Sequence, residues 1–140
     1  PTQDALVDVV AAAFRLIDHT EFDRYAAPIL RKIGCDDWQH LNPKNFDYAY
    51  DYTVNLSRDD PDLISGENRA FTDSFAMSYP REDRARVMEY AMAPGQADCF
   101  SSVTMQKKLR TLCLGIREAF SLAPGTVYPW EQYLAEPIAP

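Results

Sequence analysis

Four stretches of the chain read as helix, three of them by apolar residues at helical spacing, and a fifth loses that spacing. In "TQDALVDVVAAAFRLIDHTEF", Leu6, Val9, Val10, Ala13, Phe14 and Ile17 share one face, which predicts a first amphipathic helix. Its alanines favour helix, and Asp4 and Asp8 sit near the positive N-terminal end. A second helix is expected over "EFDRYAAPILRKIG", stopping at Gly34 and kinked or broken at Pro28. Helix returns at Pro80–Met92, with proline at its first position and Ala85, Met88, Ala91 and Met92 on the buried side. The last helix is expected from about Ser102 to Ser121. Met105, Leu109, Leu112, Cys113, Ile116 and Phe120 form its apolar stripe, and Lys107, Lys108 and Arg110 are assigned to water.

Between residues 36 and 78 the pattern has no sustained period and is rich in Asp, Asn, Pro and Tyr. A helical turn at 36–41 is expected, then a long ordered loop with a strand fragment around Tyr50–Val54. The tail "YPWEQYLAEPIAP" is expected to dock through its aromatics and fray after Leu134. The fold class is therefore mainly α: one domain over residues 1–140, about four main helices and a long ordered loop.

The chain has 140 residues, enough for one core. A net charge of −7 argues against sequence-independent nucleic-acid binding and against an anionic membrane surface. No apolar run is long enough to span a bilayer. The start "PTQDALVD" has neither a basic segment nor a cleavage site, and Pro1 in place of Met reads as part of a longer or processed protein. Cys35, Cys99 and Cys113 have no metal-type spacing. Cys113 lies on the apolar stripe and reads as a buried hydrophobe, while a Cys99–Cys113 bridge stays open.

Glu82 and Asp83 open a helix directly behind Pro80, where carboxylates are stabilised by exposed N–H groups and the helix dipole. They raise the question of a metal. "DWQHLNP", "SFAMSYPREDRARVMEYAM", "MQKKLRTLCLGIREAF" and "PWEQYL", in that order, resemble the C-terminal part of bacterial zinc-binding metallopeptidases. These are zincins of the gluzincin kind, similar in plan to lethal-factor-like and Pro-Pro endopeptidases. The resemblance implies a zincin-like helical domain and favours a secreted or cell-surface setting. Active members carry His-Glu-x-x-His on a helix, so that both imidazoles reach zinc and the Glu activates water. A later carboxylate completes the ligands, and an upstream tyrosine assists the oxyanion.

With Leu16-Ile17-Asp18 setting the register, the resemblance puts Ala11 at the first histidine, Ala12 at the catalytic Glu and Arg15 at the second histidine. The ligand carboxylate falls on Glu82, which is retained, and the tyrosine falls on Phe75. The pattern implies a degenerate site with no catalytic residues, no bound metal and no cofactor. Arg15 is expected to pair with Glu82 across the former cleft. The function that follows is non-catalytic: binding of a protein or peptide in the remnant cleft between the first helix and the helix at residue 80. The alternatives are an active metallopeptidase whose zinc-binding helix is mislocated by this register or missing from this stretch of chain, with zinc as cofactor, and a structural domain of a secreted or surface protein.

Other constellations offer less. Asp18, His19 and Glu21 cluster in sequence but point around a helix end. His19 reads as a cap, and the only other histidine is His40. In "FDYAYDYTVNL", Phe46, Tyr48, Tyr50 and Tyr52 alternate with Asp47 and Asp51. They either anchor the loop or present an aromatic surface to a partner.

Overall fold

The computed structural model describes residues 38–51, 60–119 and 122–138. The described part is mainly helical, with no strand among its residues. Three α-helices are present there: α1 (Pro61–Ile64), α2 (Pro80–Met92) and α3 (Val103–Ala119). Short 3-10 turns at Trp38–Leu41, Ser74–Met77, Ala97–Phe100 and Pro129–Glu131 connect and brace them. The two predicted N-terminal helices, Arg15, Cys35, the Tyr52–Val54 part of the strand fragment and Phe120 lie outside the described residues.

The α2 helix forms where the pattern places it, with Pro80 in its first turn, where the missing N–H costs nothing. It stops at Ala93, and the turn beyond uses Gly95 at φ 71, the left-handed region that glycine enters without strain. Ser102 precedes α3, and its hydroxyl accepts the Met105 N–H at 3.1 Å, supplying a partner to an otherwise orphaned donor. The same hydroxyl donates to the Arg69 carbonyl at 2.6 Å, tying the helix start to the 60–73 segment.

The core lies between α2 and α3 and under the irregular segment. Ala85, Met88 and Ala91 of α2 meet Met105, Leu109, Leu112 and Cys113 of α3, and Trp38, Phe71, Met77 and Phe100 close the other sides. The buried face expected for α2 and the described part of the α3 stripe are both in the core.

Four expectations need correction. Lys108, assigned to water, has 0% of its surface exposed. The loop is interrupted by α1 and by the turn at Ser74–Met77, whose start is capped by Asp73 accepting the Ala76 N–H at 3.0 Å. Tyr50 is not in a strand. Two backbone bonds hold residues 49 and 50 against the turn, from Ala49 to Met77 O (3.0 Å) and from Tyr50 to Ser78 O (2.7 Å), and among the described residues they belong to no ladder. The tail does not fray after Leu134. Gln106 accepts the Ala135 N–H at 3.0 Å, Arg110 donates to Glu136 O at 3.0 Å, and Ile138 packs on the core. Cys99 and Cys113 are both buried free thiols, so the bridge between them is absent.

Candidate functional site

The α2 start does more than cap a helix. Its first turn carries Glu82 (5% exposed) and Asp83 (0%), both buried. Asp83 lies one turn before Val87 on the inward face, so its carboxylate enters the core. There it meets Lys108, which follows Met105 by one turn and precedes Leu112 by another on α3. The ammonium donates to Asp83 Oδ2 at 2.7 Å and to the Ala70 carbonyl at 2.6 Å.

Two aromatic donors converge on the same oxygen. Trp38 Nε1–H reaches Oδ2 at 2.9 Å and the Tyr48 hydroxyl at 2.7 Å. Tyr48 in turn accepts from Asn42 Nδ2 at 2.9 Å. The Lys108 ammonium stands 3.9 Å from the Phe71 ring centroid and 5.6 Å from that of Trp38, so two π faces surround the charge. Asp83 Oδ1 is buried with no hydrogen-bond partner. Burial pushes Lys108 below the usual lysine range, opposed by the Asp83 charge. Burial also raises the Tyr48 phenol, and the Asp83 charge reinforces it, so this hydroxyl stays a donor.

Toward solvent, the same end of α2 carries an aromatic edge. Tyr79 precedes the helix and its carbonyl accepts the Glu82 N–H at 3.1 Å. Its hydroxyl donates to Tyr50 O at 2.9 Å, the two rings meet edge to face at 5.6 Å, and Arg81 lies over the Tyr79 ring at 4.2 Å. Tyr50 is 54% exposed and adopts φ 53, the one positive φ outside glycine among the described residues. For a bulky side chain that conformation costs of order 1–3 kcal/mol and persists only where surrounding bonds impose it. Nearby, a pocket of about 260 Å³ is lined by Gln39, His40, Asn42, Lys44, Phe46 and Tyr48.

The alternating tyrosines therefore divide: Tyr48 is a buried anchor and Tyr50 faces outward. Phe75 lies in the turn before α2, half-buried, with the Arg86 guanidinium 4.8 Å above its ring. Glu82 and Phe75 thus belong to adjoining segments, while Ala11, Ala12 and Arg15 lie outside the described residues, and with them the expected Arg15–Glu82 pair. Among the described residues no three His, Cys, Asp or Glu side chains converge as a metal site would require. Nor is any helix there long and apolar enough to cross a membrane.

Sequence reasoning missed Lys108, Trp38 and Tyr48 as partners of Asp83. A signal for Lys108 existed, since its spacing from Met105 and Leu112 puts it on the stripe, and a cation there requires a buried anion. No comparable signal marked Trp38 or Tyr48, which reach Asp83 across 45 and 35 residues. Comparison with family models, curated proteins and solved structures finds no match to this chain.

Proposed function

We propose that this chain is a zincin-like domain without a catalytic zinc site, and that it binds a peptide or protein segment at the cleft beginning at α2. The observation that carries the reading is Tyr50, an exposed aromatic held in strained backbone beside the start of that helix. Strain of this kind is retained where it orients a contact residue. Tyrosine also offers a large, rigid contact with a polar tip. Tyr79 and Arg81 extend the platform, and the neighbouring 260 Å³ pocket has room for one side chain.

The non-catalytic half of the proposal rests on the resemblance, which retains the carboxylate position at Glu82 but none of the family's histidines, and a single carboxylate does not hold zinc. It is supported by the use made of the neighbouring carboxylate. Asp83 is neutralised by a lysine ammonium, and Phe75 offers a ring without a hydroxyl.

Two measurements test the proposal. Elemental analysis of protein purified without chelator should find no stoichiometric zinc. One zinc per chain, lost in Glu82→Gln and accompanied by peptide cleavage, would establish the metallopeptidase instead. Selection from a displayed peptide library should yield binders that lose at least tenfold in affinity against Tyr50→Ala. Binders indifferent to Tyr50, or none at all, would remove the platform.

A further inference from the structure

We propose that Lys108 and Asp83 form an intramolecular amide, a covalent cross-link from the middle of α3 to the first turn of α2. The proposal is independent of the peptide-binding reading. It begins from an asymmetry in the buried carboxylate. Three donors, Lys108 Nζ, Trp38 Nε1 and Tyr48 OH, converge on Oδ2, while Oδ1 is enclosed without a partner. A carboxylate has two oxygens to satisfy and an amide has one. The surroundings provide for one.

The product fits the surroundings better than the ion pair does. As the amide carbonyl, Oδ2 keeps its bonds from Trp38 and Tyr48. The amide N–H keeps the Ala70 carbonyl, now 2.6 Å from Nζ, as its acceptor. The orphan Oδ1 is gone, and with it two buried charges whose desolvation the fold otherwise bears.

The step balances without a co-reactant. The ammonium, 2.7 Å from Oδ2, gives up one proton, and the neutral acid carries it on Oδ1, the oxygen that no donor occupies, leaving a neutral amine beside it. The amine nitrogen bonds to Asp83 Cγ, and Trp38 and Tyr48 stabilise the negative charge that builds on Oδ2. The Cγ–Oδ1 bond then breaks. Of the three ammonium protons, two leave with Oδ1 as water and one stays on the amide nitrogen. Nothing is oxidised or reduced. Burial favours the neutral amine over the ammonium, and the amide persists once the released water has left the core during an opening of the fold.

The test is the intact mass of the folded, purified chain, measured after denaturation and reduction. The major species should be lighter than its sequence by one water. A tryptic digest should contain Glu82–Arg84 joined to Lys108–Arg110, with cleavage after Lys108 blocked. Lys108→Arg should have the full sequence mass. A wild-type major species at the full sequence mass overturns the proposal. So does a loss of one water with separate linear peptides, which would indicate a cyclic imide at Asp83, or a loss that persists in Lys108→Arg.

Discussion

Arg117, in the last turn of α3, grips Glu131 of the tail with two parallel bonds, Nε to Oε2 at 2.6 Å and Nη2 to Oε1 at 2.7 Å. The Glu131 carboxylate also accepts the Tyr128 N–H at 3.0 Å. Together these bonds fold the tail back along the helix and bring Trp130 and Tyr133 onto the core. Burial alone would raise the Glu131 carboxyl. The Arg117 and Tyr128 donors outweigh it and hold the group below its ordinary value of 4.5. A lowered carboxyl stabilises the fold fully above that ordinary value and ceases to do so as pH falls through the lowered one. The tail should therefore detach in acid below about pH 4.5, seen as a change in Trp130 fluorescence. Glu131→Gln should lose this step and expose the tail to protease at neutral pH. An acid transition unchanged in the variant would assign it to another carboxylate.

Lys108 and Asp83 neutralise each other in the core as an ion pair or as the amide, so neither should be tolerated there alone. Lys108→Met leaves an uncompensated carboxylate in the core and should cost about 3–5 kcal/mol in urea unfolding. Asp83→Leu combined with Lys108→Met removes both charges and should recover much of that loss. Additive single-variant losses would mean that the two groups do not act together.

The two described cysteines should behave as core atoms rather than reagents. Burial raises the Cys99 thiol to about 11, and it raises Cys113 to about 12 with help from the Glu131 charge. Neither should react with a thiol probe at neutral pH until the chain unfolds. A raised thiol stabilises the fold fully below its ordinary value of 9.0 and loses that contribution as pH climbs toward the raised one. Over that window Cys113 should steepen the loss of stability by about 1.4 kcal/mol per pH unit. Cys113→Ala should remove this component, and fast labelling of the folded protein would contradict the burial.

The zincin resemblance is open to a gain-of-function test. Ala11→His, Ala12→Glu and Arg15→His together should create zinc binding, with Glu82 as third ligand, detectable by calorimetry. Turnover should stay low because Phe75 has no hydroxyl, a deficit of about 10²–10³ in rate. Phe75→Tyr should raise turnover in that background and have no effect in the parent chain. A folded triple variant that takes up no metal would end the zincin reading.

The sequence by itself determined the helical class, the span of α2 and the inward face of α3. Those follow from local rules: proline at a helix start, and apolar residues returning each turn. The same rules sent Lys108 to water, because charge outweighed spacing in assigning it, although its position between Met105 and Leu112 pointed inward. Tertiary structure decided what Asp83 is for. A carboxylate near a helix start satisfies local electrostatics in either role, and only packing shows that Trp38, Tyr48 and Lys108 reach it from distant segments. Tyr48 and Tyr50 read alike in an alternating run. Packing places one against Asp83 in the core and leaves the other exposed beside Tyr79. Periodicity is a property of neighbours along the chain, whereas a buried charge is settled by groups that meet only when the chain has folded.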